Sequence, residues 1–182
     1  RVLKPRSSDV RRLRREVRGF TILELAIVIS VIGIVTALGL PSLSDVLRDN
    51  GVRSRAERYS AGLSLARLEA IQRNTRVDFV ADGVGWSITM PDPGGGSDWV
   101  LHRMLPGSGD ANYTGVANAT RVSFYGTGRA SVGTFEADFG YSGRSCEAAG
   151  GDVRCLRVRL NARGTAQLCD PAVDGADPRA CP

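Results

Sequence analysis

The stretch "RGFTILELAIVISVIGIVTALGLP", residues 18–41, decides the fold, because it places a long apolar segment directly behind a basic leader. Residues 20–40 carry a single charged side chain, Glu24. As a helix they would measure about 31 Å, and a bilayer core is about 30 Å thick. Basic residues crowd the N-terminal side, which is expected to stay cytoplasmic. We therefore predict a basic leader at 1–19 and a transmembrane helix at 20–40.

Glu24 and Gly19 set this segment apart from an ordinary signal sequence. A carboxylate inside a membrane helix costs roughly 2–3 kcal/mol on insertion scales and calls for a cationic partner. A cleaved secretory signal carries its small-residue site after the apolar region, whereas Gly19 precedes it. Cleavage between Gly19 and Phe20 would remove the leader, keep the anchor and create an α-amine on Phe20. That amine, on the same chain or on a neighbouring copy, would be a suitable partner for Glu24 in a low dielectric.

The run from Gly19 to Glu24, the apolar helix behind it and Pro41 together resemble the class III signal of type IV prepilins and type II secretion pseudopilins. The resemblance implies cleavage after Gly19 by a prepilin peptidase and N-methylation of Phe20. It also implies that Glu24 guides docking into a filament beside other pilins. The implied location is the bacterial inner membrane, with a cytoplasmic N-terminus and a periplasmic C-terminal domain, and then the pilus or pseudopilus.

A second helical segment is expected at 41–74. Pro41 removes a helix hydrogen bond and should kink the rod, and Asn50-Gly51 is a second weak point. Beyond it, apolar residues recur at spacings of four and three, which predicts one buried helix face. The residues of this stripe are Val52, Ala56, Tyr59, Leu63, Ala66 and Ala70.

After Thr75 the pattern changes to short strands. "RVDFVADGVGWSITM" predicts a hairpin about Asp82-Gly83, and five further segments predict strands: "WVLHRML", "TRVSFYG", "TFEADFG", "CLRVRL" and "TAQLC". The Pro- and Gly-rich stretches at 91–98 and 106–112 are expected to be loops. The expected fold is α+β, a long helix packed on a small antiparallel sheet domain at 75–182.

The stretch "SLARLEAIQRNTRV", residues 64–77, resembles the end of the first helix in the GspH/FimT branch of minor pilins and minor pseudopilins. The sheet that follows and the turn from Leu160 to Gly164 add to this resemblance. It implies a type IV pilin-like fold and a structural, non-enzymatic role.

The charge distribution and the absence of known motifs argue against several other classes of protein. The formal charge is +5, but residues 1–19 contribute a net +6 and residues 20–182 a net −1, so attraction of the domain to nucleic acid is weak. His102, the only histidine, is expected to be a packed or surface residue. No catalytic triad can be built around it, and the glycine-rich stretches lack the context of a phosphate-binding loop. We predict no enzyme, no cofactor and no metal site.

Four cysteines lie in the last 37 residues: Cys146, Cys155, Cys169 and Cys181. Their spacing contains no C-x-x-C pair, which disfavours zinc, and an exported domain favours two disulfides. Local loops would join Cys146 to Cys155 and Cys169 to Cys181, the pattern we favour. A hairpin turning at 161–164 would instead bring Cys155 near Cys169, so the connectivity stays open.

An arginine-rich strand raises the question of DNA. Residues 153–169 contain no acid and four arginines, namely Arg154, Arg157, Arg159 and Arg163. Some FimT proteins bind DNA through a Gly-Arg-x-Arg turn, but here Thr165 and Gln167 stand in place of the two arginines after Gly164. Three interpretations stay open: a solvated edge strand protected by charge, a weak, non-specific phosphate-contacting patch, or a contact with a partner protein.

The sequence therefore predicts a minor pilin of the GspH/FimT type that takes part in assembly or initiation of a type IV pilus. The alternatives are a minor pseudopilin of a type II secretion system and a FimT-like DNA receptor in natural transformation. The expected partners are other minor and major pilins, the prepilin peptidase and the membrane, with DNA the weakest candidate.

Overall fold

A computed structural model describes residues 19–182, apart from the side chains of residues 38–42. The leader predicted at 1–19 lies almost wholly outside the described residues, as does the side chain of Pro41. The chain forms two units, Arg1–Leu40 and Pro41–Pro182. A single helix, α1, extends from Ile22 to Arg73 and includes residues of both units. The kink expected at Pro41 stays a prediction.

Within the described residues, no helix is both long enough and apolar enough to cross a membrane. The span predicted at residues 20–40 stays a prediction.

In the second unit, α1 ends where the sequence indicates. Its last helical residue is Arg73, and Asn74 takes a left-handed conformation with φ of 48°, as an asparagine after a helix C-terminus often does. All six residues of the predicted stripe are at most 1% exposed, so the predicted helix face is confirmed. The helix does not break at Asn50-Gly51. A side chain at Gly51 would collide with the ring of Tyr113. The glycine makes room for that ring.

Eight strands follow α1, where the sequence predicted seven. They are β1 Val77–Asp82, β2 Gly85–Met90, β3 Trp99–Met104, β4 Tyr113–Ala117, β5 Arg121–Phe124, β6 Thr134–Tyr141, β7 Leu156–Asn161 and β8 Ala166–Cys169. The hairpin about Asp82-Gly83 is confirmed, with φ of 56° at Gly83. The additional strand, β4, alternates half-buried and exposed residues about Gly115.

The strands form two antiparallel four-stranded sheets, in the orders β3-β2-β1-β5 and β4-β6-β7-β8. The predicted α+β class is confirmed, with two sheets in place of one. Both sheets contribute aromatic residues to the core around Tyr59 of α1. The Tyr59 ring centroid lies 5.0 Å from those of Phe79 (β1) and Phe139 (β6), and 6.4 Å from that of Phe135 (β6). The buried residues run from Val52 to Asp170, so the second unit contains its own complete core.

Candidate functional site

The bond predicted to be cleaved lies just before α1. Neither Gly19 nor Phe20 is helical, and the Phe20 side chain is 82% exposed. Thr21 caps the helix: its Oγ1 accepts a hydrogen bond from the Glu24 N–H at 3.2 Å, and its carbonyl accepts one from Leu25. Glu24 therefore lies in the first turn, where the helix dipole favours a carboxylate. This gives Glu24 a local role at the helix start, separate from the predicted role in docking.

The first two-thirds of the apolar segment presents large side chains in every direction. Ten residues between Ile22 and Val35 are between 46% and 88% exposed: Ile22, Leu23, Leu25, Ile27, Val28, Ile29, Val31, Ile32, Ile34 and Val35. A helix that is apolar all round must be covered by other helices or by lipid.

Acidic residues on strand β6 balance the positive charges of two arginines on the neighbouring strand β7. In the register of β6 and β7, Asp138 lies opposite Arg157, and Glu136 opposite Arg159. Arg157 Nε lies 2.7 Å from Asp138 Oδ1, and Arg159 Nε lies 3.2 Å from Glu136 Oε1. The hydrogen bond to Asp138 raises the pKa of Arg157, despite the opposing effect of burial. Since β7 lies between β6 and β8, the interpretation of an edge strand is wrong.

The other two arginines lie apart from this pair. Arg154 Nε donates to the buried carboxylate of Asp170 at 2.7 Å. Arg163 lies in the β7–β8 turn, where Asn161 Oδ1 accepts hydrogen bonds from the N–H groups of Arg163 and Thr165. Among the described residues, three of the four arginines thus form ion pairs with carboxylates. The structure does not gather them into a strongly positive surface, which weakens the DNA interpretation.

The cysteines form the local pattern of bridges. Cys146 is joined to Cys155, and Cys169 to Cys181. The second bridge fastens the C-terminal tail beside β8, where Asp170 and Ala180 form a parallel bridge. The disulfide-bonded C-terminal region is therefore confirmed.

His102 lies on the surface of β3 and pairs with α1. Its Nε2 lies 3.0 Å from Glu69 Oε1. Hydrogen bonds from Arg73 and then from His102 hold the pKa of the Glu69 carboxyl below its usual range, against a smaller effect of burial. This contact links the edge of the first sheet to the last turns of the helix.

One polar cluster had not been predicted from the sequence. Asp110, in a 3₁₀ turn at Ser108–Asp110, forms an ion pair with Arg55 of α1 at 2.6 Å. The Arg55 guanidinium also donates to the carbonyls of Gly51 and Gly109 and lies 3.5 Å from the ring centroid of Tyr113. The cluster clamps the β3–β4 connection onto the helix. Arg55 and Asp110 are 55 positions apart, so no local sequence pattern predicts their contact.

A second unpredicted cluster lies on the outer face of the first sheet. Asp78 is fully buried and accepts hydrogen bonds from Arg76 and Arg121, and Arg121 also reaches Asp98 at 3.1 Å. Burial alone would raise the pKa of Asp78, but hydrogen bonds from Arg76, Ser123 and Arg121 outweigh it and lower the pKa. The cluster ties the loop at 91–98 to the sheet.

The chain is similar to known proteins in sequence and in structure. The prokaryotic N-terminal methylation motif matches residues 14–40. The minor pseudopilin EpsH from the type 2 secretion system of Vibrio cholerae is similar in structure. It aligns at a TM-score of 0.52 and 15% identity, over 67% of this chain and 98% of that chain. The type IV minor pilin FimU of Pseudomonas aeruginosa strain PAO1 aligns at a TM-score of 0.49 and 20% identity, over 72% and 96% of the two chains. No protein of curated function matches the sequence significantly.

The family assignment rests on the sequence of the second unit. The family described as type II transport protein GspH matches residues 55–164. That range covers most of the buried half of α1 and strands β1 to β7, and it ends in the β7–β8 turn. The match agrees with a structural, non-enzymatic subunit and with the resemblance to the GspH/FimT branch. The chain is a type IV pilin-like protein that belongs to the GspH family.

Proposed function

We propose that this protein is a minor pilin that is built into a type IV pilus and takes part in starting its assembly. The family and fold support the coarser role, a minor subunit of a type IV pilus or of a type II secretion system. The observation that carries the proposal is the all-round apolar surface between Ile22 and Val35, which lies within the residues that the methylation motif matches. Such a surface suits a helix that leaves lipid for a bundle of similar helices.

In this proposal, residues 20–40 anchor the chain in the inner membrane and the second unit lies in the periplasm. Prepilin peptidase cuts after Gly19 and methylates the new amine of Phe20. Glu24 then pairs with the Phe20 amine of a neighbouring pilin, since a cation is the partner that a carboxylate needs in a low-dielectric bundle. The other partners are the minor and major pilins that surround the helix.

Processing is tested by the mass of the N-terminal peptide of the protein isolated from membranes. The proposal expects a peptide that starts at a methylated Phe20. Replacement of Gly19 by a bulky residue should leave the leader attached, while Thr21→Ala serves as the control that weakens only the helix cap. An unprocessed wild-type chain would contradict the proposal.

The minor pseudopilin of a type II secretion system is the second candidate, favoured by the family description and by the fold of EpsH. One deletion strain separates the two machines if it is scored for surface pili and for secreted exoproteins. Loss of pili alone supports the pilus, and loss of secretion alone supports the secretion system.

A DNA receptor is the weakest candidate, because three of the four arginines of residues 153–169 already form ion pairs with Glu136, Asp138 and Asp170. A gel shift at low salt with residues 41–182 tests it. We expect no retardation, and salt-sensitive retardation lost in an Arg157→Glu, Arg159→Glu variant would reopen the DNA role.

A further inference from the structure

Four arginines within residues 20–182 form no ion pair with another described residue, whereas the other twelve do. These four are Arg67, Arg103, Arg129 and Arg163. Three of them, Arg67, Arg129 and Arg163, come together near the C-terminal end of α1. A guanidinium keeps its charge at every physiological pH, so unpaired arginines that lie side by side attract an anion.

Two turns bring these three arginines together. A Cβ atom at Gly128 would lie 3.1 Å from Arg67 Nε, and a Cβ atom at Gly164 would lie 3.3 Å from the same nitrogen. Arg129 follows the first glycine and Arg163 precedes the second, and both arginines are exposed. Because neither glycine has a side chain, both turns can approach Arg67 closely.

Arg67 itself lacks a partner. Its Nε atom is buried and has no hydrogen-bond partner among the described residues. Glu69, the next acid along α1, already pairs with Arg73 and His102. A buried N–H group that makes no hydrogen bond is destabilising. A carboxylate oxygen from another molecule would remove this penalty by accepting the hydrogen bond.

A cavity of about 400 Å³ lies beside Arg67. Its wall also includes Leu68 and Ile71 of α1 and residues 164–166 of the β7–β8 turn. Leu68 is 53% exposed and Ile71 is 43% exposed. These aliphatic side chains favour a protein over a nucleic acid as the ligand, because a phosphate backbone gains little from such contacts. The cavity therefore fits a carboxylate that has an apolar side chain next to it.

We propose that this cavity and its three arginines, the arginine pocket, bind an acidic segment of a different pilin subunit. The proposal rests on the proposed function, in which a minor subunit is surrounded by other pilins. A carboxylate of that segment accepts a hydrogen bond from Arg67, while Arg129 and Arg163 attract the segment. Leu68 and Ile71 cover its apolar side chain. Because the contact joins two different surfaces, it is heterologous and allows all α1 helices to keep one direction in a filament.

A photoreactive amino acid at position 68, in place of Leu68, tests the proposal in the full chain expressed in a deletion strain. We expect illumination to crosslink the chain to a different pilin subunit. Arg129→Glu and Arg163→Glu together should lower the crosslinked fraction about tenfold, because they turn attraction into repulsion. Arg103→Glu, which reverses the fourth unpaired arginine in β3, is the matched control and should change nothing. Replacing the acid found in the crosslinked peptide of the partner by arginine should restore the product.

The variant Arg67→Met separates binding from folding. It keeps a flexible stem and removes the guanidinium whose Nε atom has no partner among the described residues. We expect the crosslinked fraction to fall, and the melting temperature of residues 41–182 to stay unchanged or rise. A clearly lower melting temperature would show that Arg67 stabilises the fold and would overturn its role in binding.

The outcomes distinguish this proposal from the proposed function. A processed chain that enters filaments but gives no crosslink from position 68 overturns the arginine pocket and leaves the proposed function standing. A crosslink to a second copy of this chain alone, or one that Arg129→Glu and Arg163→Glu leave unchanged, also overturns the pocket. A crosslink to a subunit of a secretion system supports the pocket and overturns the assignment to a pilus. Retardation of DNA that these two substitutions abolish would assign the surface to nucleic acid and overturn the proposal.

Discussion

The clamp between Arg55 and Asp110 provides a quantitative test of how the β3–β4 connection is held to the helix. The two side chains are 13% and 10% exposed, and Arg55 Nη2 lies 2.6 Å from Asp110 Oδ1. Asp110 Oδ2 also accepts the Gly107 N–H at 2.7 Å. Asp110→Ala removes both contacts and leaves a largely buried guanidinium without its anion.

The expected loss is about 3 kcal/mol in the free energy of unfolding. Breaking a buried ion pair by removing one partner typically costs about 3–5 kcal/mol. The lower end applies because Arg55 keeps the carbonyls of Gly51 and Gly109 and the face of Tyr113. Urea unfolding of residues 41–182 at neutral pH measures the loss. Asp45→Ala is the control, because its pair with Arg48 leaves Asp45 65% exposed and should contribute under about 1 kcal/mol.

The same clamp predicts a pH dependence. Burial would raise the pKa of Asp110, but the Gly107 N–H and the charges of Arg55 and Arg58 outweigh it and hold the pKa below its usual range. The stabilisation is therefore complete above the unfolded pKa of about 4 and is lost as the pH falls through the lower folded value. Asp110→Asn lacks this contribution, so its deficit against wild type should shrink in acid. A loss under about 1 kcal/mol for Asp110→Ala, or a deficit for Asp110→Asn that does not change with pH, would refute the reasoning.

Three further predictions concern the core and the tail, each measured by the same unfolding assay. Gly62→Ala should destabilise by about 1–2 kcal/mol despite the better helix propensity, because the new Cβ would lie 2.5 Å from the Trp86 ring; a gain in stability would contradict this packing. Tyr59→Phe should be neutral or stabilising by up to about 1 kcal/mol, because the buried phenol oxygen has no hydrogen-bond partner among the described residues; a large loss would reveal a partner for the hydroxyl. Replacing Cys169 and Cys181 together by serine should cost about 3 kcal/mol, from the entropy of the opened loop; unchanged stability would mean that the tail stays docked without its bridge.

Local pattern was sufficient to predict the helix and most strands. The stripe from Val52 to Ala70 follows the helical period, and its burial needs no knowledge of what covers it. β4 was missed because Gly115 interrupts a short, half-exposed run that follows a loop rich in glycine. The split into two sheets depends on pairings between distant strands, which periodicity does not encode.

The candidate site was predictable to different degrees along the chain. The motif from Gly19 to Glu24 is contiguous, so the sequence displays it whole. The acids opposite Arg157 and Arg159 do share their two-residue alternation, as Glu136-x-Asp138 in the strand "TFEADFG". Both strands place their charged residues two positions apart, so pairing the two strands would have predicted that the acids neutralise the arginines. Tertiary folding brings Arg55 to Asp110 and Arg121 to Asp78, so no periodic pattern predicts these two contacts, whereas Arg76 lies only two residues before Asp78.

The claim that this protein enters a filament through its first helix is tested most directly by what sheared filaments contain. In a deletion strain, the chain is re-expressed as wild type, Glu24→Gln or Thr21→Ala, and pili are quantified and probed for the protein. Glu24→Gln keeps the size of the side chain and removes its charge, whereas Thr21→Ala weakens the helix cap and keeps the carboxylate. The account predicts pili that contain the wild-type and Thr21→Ala chains, and neither normal pili nor incorporated protein for a processed Glu24→Gln chain. Normal pili and normal incorporation of Glu24→Gln would contradict it.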